Sequence, residues 1–178
     1  VDHLQIAGVE DLTINVASSD TDVLAVTLTE IEATATTSLT LTGVENLVVS
    51  AFDGADVNTV DATAVTGTVT LTAGADDQTL KGSDTAATTF VMGANLDNDD
   101  TIQGGAATTD KLTATIDGLT ATTGALSISG VETIALTGST NASTLDMSGV
   151  TGATTLALGG GSINQTITGL ASGVTIQL

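Results

Sequence analysis

Short runs of alternating apolar and polar residues recur along this chain, separated by glycine, aspartate, asparagine, serine and threonine. Residues 12–16 place leucine, isoleucine and valine on one face, and this period of two predicts a β-strand. Residues 24–31 alternate as well. Their apolar positions also fit helical spacing, but Thr27 and Thr29 favour a strand. Two further strands are predicted on either side of a turn at Gly43.

The apolar centres are regularly spaced, at roughly ten to eleven residues through most of the chain. They fall near positions 60, 70, 80, 91, 102 and 112, and again near 126, 135, 145, 156, 166 and 176. Turn-forming residues fill the gaps between them. Short strands at this spacing predict either a β-sandwich or a β-solenoid.

An internal repeat favours the solenoid. Residues 43–82 and residues 130–169 align with an offset of about 86 residues, and both begin with the tripeptide Gly-Val-Glu. A shorter copy of this phrase begins at Gly8. Repeats of this kind mark proteins in which each unit buries its apolar face against the next. We therefore expect an all-β fold, a right-handed parallel β-helix or β-roll with two to three short strands per coil. A β-sandwich array is the alternative.

The same pattern predicts a single repetitive segment over residues 1–178, which we interpret as a piece of a longer or processed chain. Its formal net charge is −19, from 21 acidic residues and two lysines. Such a chain offers no basic patch for nucleic acid, and no stretch is long and apolar enough for insertion into a membrane. We expect neither interaction. There is no cysteine, so disulfides are excluded.

Acidic residues are densest in residues 74–112, which contain both lysines and seven aspartates. Carboxylate and amide oxygens at this density suit Ca²⁺, whereas Zn²⁺ favours histidine and cysteine. The alternative is a solvated acidic loop, which is also the favoured interpretation of residues 20–22 and 53–56. The candidate calcium ligands are Asp76, Asp77, Asp84, Asn95, Asp97, Asp99, Asp100 and Asp110.

The segment 104–112 resembles the calcium-binding RTX repeat of secreted bacterial proteins, Gly-Gly-x-Gly-x-Asp-x-apolar-x. It keeps the glycine pair Gly104–Gly105, Asp110 and Leu112, but has Ala107 in place of the next glycine and one extra residue before the aspartate. Residues 74–80 are a second degenerate copy.

From Gly8 onward the chain is similar to surface-layer proteins of Gram-negative bacteria and to large RTX adhesins. The phrases that carry this similarity are Gly-Val-Glu followed by alternating apolar residues, and Val-Thr-Gly at Val65 and Val150. The resemblance implies type I secretion, a location on the bacterial cell surface, order that depends on calcium, and self-assembly.

Catalytic chemistry has little support in the residues. The one histidine is His3, and the chain has no cysteine, arginine or tyrosine. We therefore expect a structural building unit of a bacterial extracellular surface layer, rather than an enzyme. The partners would be further copies in a lattice or filament, with a cell-surface polysaccharide as a possible anchor. The alternative is an adhesin or ligand-binding module of a large secreted protein.

Overall fold

The computed structural model describes residues 3–17, 25–53, 57–116, 124–138, 143–160 and 165–178. Over these ranges the protein is all-β, and its parallel sheets stack as a β-solenoid of about 6 turns. The predicted solenoid is confirmed, and the sandwich alternative is wrong because neighbouring strands pair parallel. The acidic turn at 20–22 and most of the turn at 53–56 lie outside the described residues.

Two long sheets form the body of the solenoid. Sheet I has seven strands, which are β2 (Asp11–Val16), β5 (Ser38–Gly43), β8 (Thr59–Val65), β10 (Thr79–Lys81), β12 (Thr101–Gln103), β14 (Ser127–Ser129) and β17 (Val150–Thr151). Sheet II has eight strands, which are β3 (Ala25–Leu28), β6 (Asn46–Val49), β9 (Val69–Thr72), β11 (Thr88–Gly93), β13 (Lys111–Thr115), β15 (Thr133–Thr137), β18 (Thr155–Gly159) and β20 (Thr175–Gln177).

Five further described strands lie outside the two long sheets. They are β1 (His3–Ile6), β4 (Glu30–Ala33) and β7 (Phe52–Asp53) in one sheet, and β16 (Ser143–Asp146) and β19 (Gln165–Thr168) in another. Coils therefore contain two or three strands, as the sequence pattern predicted.

The spacing of the apolar runs corresponds to half a coil. From β8 to β15 successive runs alternate between sheet I and sheet II, whereas the runs near 145 and 166 fall in β16 and β19 of a separate sheet. Strands that are neighbours in sequence are not hydrogen-bonded neighbours. Residues in contact lie one coil apart, as with Gln78 and Asp100, which are 22 positions apart. The turns of successive coils consequently stack on one another.

The core is a pair of apolar columns between the sheets. In sheet II, Leu71 pairs with Phe90, which pairs with Leu112, and the column continues through Ile134 to Leu156. All five of these side chains are buried. In sheet I, Leu80 pairs with Val60 in one neighbouring strand and with Ile102 in the other, and all three side chains are buried. Few aromatic residues are required for such a core.

The internal repeat spans several coils. Glu45 directly precedes β6 and Glu132 directly precedes β15, both strands of sheet II. These strands lie four places apart in the sheet order β6-β9-β11-β13-β15, which accounts for the offset of about 86 residues. The phrase at Gly8 precedes β2 of sheet I instead, so it is not structurally equivalent to the other two.

The glycine pair that resembles an RTX repeat has a packing role. A Cβ atom on Gly104 would overlap the carbonyl oxygen of Gly130 in the next coil, and one on Gly105 would overlap that of Ser83 in the preceding coil. Gly105 also has a φ of 104°, which L-residues rarely adopt. Close approach of the coils is therefore sufficient reason for glycine at both positions.

Candidate metal centre

The candidate metal centre lies where two stacked turns bring acidic side chains together. Asp77 lies in the turn between β9 and β10, and Asp97 and Asp99 lie one coil later, between β11 and β12. One carboxylate oxygen from each residue lies within 4.8 Å of the others. Asp77 and Asp99 are exposed and Asp97 is half-buried, so this acidic cluster opens to solvent on one side.

Asp100 holds the two turns of the cluster together. Its Oδ1 accepts the backbone N–H of Gln78 at 2.9 Å, and its Oδ2 accepts that of Asp97 at 3.0 Å. Asp97 Oδ1 in turn accepts the N–H of Asp99 at 2.8 Å. The buried Asp100 carboxylate therefore joins adjacent coils directly beneath the exposed carboxylates.

Gln78 extends this support to a third coil. Its Nε2 donates to the carbonyl oxygen of Val57 at 2.9 Å, and its Oε1 accepts the N–H of Gly74 at 2.8 Å. Gln78 is buried, and these bonds satisfy both ends of its amide. The backbone that carries Asp77 is thus fixed before any ion binds.

Negative charge accumulates at the cluster. Burial raises the pKa of Asp100, the N–H donors of Gln78 and Asp97 oppose that rise, and the charges of Asp97 and Asp77 add to it. Lys81 is the lysine closest in sequence to Asp77. Its Nζ lies 3.3 Å from Asp61 Oδ2, so it forms an ion pair with Asp61. A bound cation would offset the repulsion among these carboxylates.

The donor set fits a hard cation. Three carboxylates can supply three to six oxygen ligands, and the open side leaves room for water or an external ligand to complete the six to eight that Ca²⁺ takes. The cluster could therefore hold a metal ion and is compatible with Ca²⁺.

An open polar cavity of about 530 Å³ adjoins the cluster. Asp77 and Asp99 are part of its lining, so an ion bound by the cluster would face the cavity. Other polar residues of the lining are Asn58, Thr59, Asp76 and Thr79.

The cluster contains three of the eight predicted ligands, Asp77, Asp97 and Asp99. Asp76 lines the adjoining cavity, and Asn95 donates to the carbonyl oxygen of Ala73 at 3.4 Å. For these two residues a role as metal ligand stays a prediction.

The other three predicted ligands, Asp84, Asp100 and Asp110, are not among the three carboxylates of the cluster. Asp84 is exposed in the loop after β10, and its role as a ligand also stays a prediction. Asp100 uses both carboxyl oxygens for backbone N–H groups, and Asp110 Oδ1 accepts the N–H of Thr88. For both residues a role as metal ligand stays a prediction.

Sequence reasoning did not single out Gln78 or Glu132 as supporting residues. Glu132 Oε2 accepts the backbone N–H of Asp110 at 2.8 Å, one coil earlier. The available signal was the coil length, because Gln78–Asp100 and Asp110–Glu132 are both 22 positions apart. In a solenoid, polar residues separated by one coil length lie in neighbouring coils and can form hydrogen bonds with each other.

These features define the protein as a parallel β-solenoid with an acidic cluster at one corner. No known protein family, curated protein or solved structure matches the chain. Within the described ranges, no helix has the length and apolar character required to cross a membrane.

Proposed function

We propose that this chain is a structural building unit of a bacterial extracellular surface layer or a similar self-assembling cell-surface structure, ordered by calcium and without enzymatic activity. The supporting observation is the exposed end of the apolar column in sheet II. Leu156 is 1% exposed, whereas Ile176, the next member of the column, is 51% exposed. A further coil stacked on β20 would bury it.

The edge of β20 is suited to strand addition. It presents backbone N–H and C=O groups, and its sequence Thr-Ile-Gln contains no proline or charge to block pairing. Leu178, just beyond it, is also fully exposed. Full burial of Ile176 or Leu178 would contribute roughly 1.5 to 3 kcal/mol to the free energy of association. The proposed occupant of this edge is a coil of another copy of this chain.

Calcium enters the proposal because copies of a chain with net charge −19 repel one another. Cations bound at Asp77, Asp97 and Asp99 would reduce that repulsion and stiffen the two acidic turns. The extracellular location, and an anchor on cell-surface polysaccharide, are parts of the same proposal that rest on the resemblance to surface-layer proteins.

Electron microscopy and light scattering of the purified chain in calcium, magnesium or chelator test the assembly. We expect sheets or filaments in calcium. Ile176→Asp should abolish them, because it places a charge in the proposed joint. Val44→Asp is the matched control, since Val44 is 55% exposed in a turn and the substitution adds the same charge. A chain that remains monomeric in calcium at high concentration contradicts the proposal.

A ligand-binding module is the second candidate, and the cavity beside the cluster favours it. The cavity would bind a polyol or carboxylate ligand through three kinds of group. These are the exposed carboxylates, the hydroxyls of Thr59 and Thr79, and an ion with open coordination positions. Calorimetry with soluble bacterial polysaccharides, with calcium or chelator, tests it. Calcium-dependent binding by a monomeric chain would favour the module over the assembly unit.

A further inference from the structure

The strands of sheet II are free of acidic residues. None of the eight described strands of this sheet contains aspartate or glutamate, although the chain has 21 acidic residues. Acidic residues occur instead in sheet I, as with Asp61, and in β4, which contains Glu30 and Glu32. The one charged residue in the described strands of sheet II is Lys111, which is exposed at the start of β13.

The outward residues of sheet II are small and lie in register from coil to coil. One column of the outer face, with a residue from each of five neighbouring strands, consists of Thr72, Val91, Thr113, Ala135 and Ala157. All five are half-buried, and the residues on either side of each belong to the core or pack against it. Small side chains in register form a surface on which a second sheet can pack.

Two threonine hydroxyls of this face have acceptors within the sheet. Thr113 Oγ1 donates to the carbonyl oxygen of Phe90, and Thr137 Oγ1 donates to that of Ala114, both at 3.4 Å. Burial of a hydroxyl is costly when it loses its hydrogen bonds to water without a replacement. These two hydroxyls would keep their acceptors beneath a partner, which lowers the cost of covering the face.

Charge indicates which occupant the face suits. Copies of a chain with net charge −19 repel one another wherever acidic surfaces meet. Contact through β4 would bring Glu30 and Glu32 against the acidic residues of another copy, and contact through sheet I would do the same for Asp61. Contact between two copies of sheet II brings together no acidic residues of the described strands, so repulsion between copies is lowest there.

The direction of this face differs from that of the joint at β20. β20 is the terminal strand of sheet II, so a copy stacked on it extends the solenoid along its axis. Stacking in that direction alone produces a filament. The outer face of sheet II is directed sideways, and a contact there would join filaments into a layer.

The size of the face predicts a weak single contact. Strands about 4.8 Å apart and roughly 13 Å long give the eight strands an area on the order of 450 Å² per copy. A pair of copies would bury about 900 Å², whereas stable interfaces bury roughly 1,200 to 2,000 Å². Repetition of the contact along two filaments would make the association strong.

We propose that the outer face of sheet II is a lateral interface, against which the same face of a second copy of this chain packs. This inference rests on the proposed assembly function and deepens it. β20 joins copies end to end, and sheet II joins them side by side.

NMR spectra at increasing protein concentration measure the lateral contact by itself. The Ile176→Asp chain in calcium is used, because this substitution blocks stacking at β20. We expect concentration-dependent shifts at amides of the sheet II strands and much smaller ones in sheet I. Shifts confined to sheet I, or none at about 1 mM protein, would overturn the lateral interface. Shifts caused in sheet II by a soluble bacterial polysaccharide, but not by more protein, would assign the face to a glycan and also overturn it.

Ala135→Glu and Ser129→Glu are matched variants for the same measurement. Each adds one negative charge at a half-buried outward position with uncharged cross-strand neighbours, Ala135 in sheet II and Ser129 in sheet I. Ala135→Glu should weaken lateral association about tenfold or more, because it places like charges on the contact face of both copies. Ser129→Glu should leave the association unchanged. Equal effects of the two variants would contradict the proposal.

Electron microscopy in calcium, with Ile176 retained, separates the two contacts. Ala135→Glu should leave filaments one solenoid wide and remove layers, whereas Ser129→Glu should keep both. Layers that persist in Ala135→Glu would refute the lateral interface and leave the end-to-end joint intact. Absence of filaments, with the sheet II shifts retained in the concentration series, would contradict the end-to-end joint and support the lateral one.

Discussion

Two corners of the solenoid use the same residue type in opposite ways. At the acidic cluster, the Asp77 and Asp99 carboxylates are exposed and lie close to that of Asp97. At the corner of sheet II, Asp110 is buried and bonded across coils, with Glu132 as its acidic neighbour. The exposed corner brings together negative charge that a cation can offset, whereas the buried corner uses its carboxylates to join neighbouring coils. Position in the coil, rather than residue type, decides which of these two roles an aspartate has.

Glycine substitutions should give the largest difference between the two corners. Gly104→Ala would force a Cβ atom against Asp110 Oδ2 and the Gly130 carbonyl, and we expect a loss of about 3 kcal/mol or more. Gly74→Ala, near the acidic cluster, would place its Cβ atom 3.5 Å from Gln78 Nε2 and should cost about 0.5 kcal/mol.

Chemical denaturation of both glycine variants in chelator measures these free energies of unfolding. Equal losses would show that coil contact at Gly104 is not the constraint that the structure indicates.

Calcium should stabilise the folded protein only by binding at the acidic cluster. At a hundredfold excess over its dissociation constant, an ion adds about 2.7 kcal/mol, which chelator would remove. The melting temperature should then fall by roughly 5 to 10 °C. A triple variant should eliminate this calcium-dependent shift in melting temperature. It combines Asp77→Asn, Asp97→Asn and Asp99→Asn, and each Asn retains a side-chain oxygen.

The matched control for the calcium response combines Asp11→Asn, Asp146→Asn and Glu10→Gln, which removes the same charge away from the candidate ligands. A calcium response lost equally in both triple variants would assign the effect to general screening.

Asp99 and Asp100, in the turn before β12, should have different roles. Asp100 should support folding stability, and Asp99 should support calcium binding. Asp100→Asn removes the acceptor for one of two backbone N–H groups and should cost about 1 to 3 kcal/mol in chelator. Asp99→Asn should leave the stability in chelator nearly unchanged but weaken calcium binding. Calorimetric titration combined with thermal unfolding separates the two. Identical behaviour of these variants would contradict the division between supporting and exposed carboxylates.

The smallest effect is expected at Asp61, whose pKa is lowered in the folded protein, whereas burial raises the pKa of Asp110. Partial burial alone would raise the pKa of Asp61, but hydrogen bonds from Thr63 and the charge of Lys81 lower it. Its stabilisation is therefore present above the ordinary pKa of 3.8 and is lost as the pH falls through the lowered value.

Asp61→Asn should cost less than about 1 kcal/mol at neutral pH, because the ion pair with Lys81 is partly exposed. Unfolding at about pH 3 should reduce the difference from wild type. A difference that grows on acidification would contradict this assignment.

Much of the architecture was predictable from local pattern. Alternation predicted the strand at 12–16, and the regular apolar centres fall in or beside strands from β8 to β20. The repeat beginning at Gly43 and Gly130 favoured a solenoid, because units of that kind stack on equivalent units. The acidic turns were also visible, since aspartate and glycine concentrate in residues 74–112.

The pairing of side chains was not predictable in the same way. Asp99 and Asp100 are adjacent in sequence, yet one is exposed and the other buried, because the chain enters a strand at this point and successive side chains face opposite sides. The glycine pair at Gly104 resembles a calcium repeat in sequence, and only the structure shows its packing role.

Composition and period by themselves determined an all-β, repetitive, strongly acidic chain with its oxygen ligands in turns. Only the tertiary structure decided which acids meet. Asp77 reaches Asp99, and Asp110 reaches Glu132, only through closure of a complete coil. The energy of a carboxylate then depends on its burial and neighbours, which exist only after the coils have stacked.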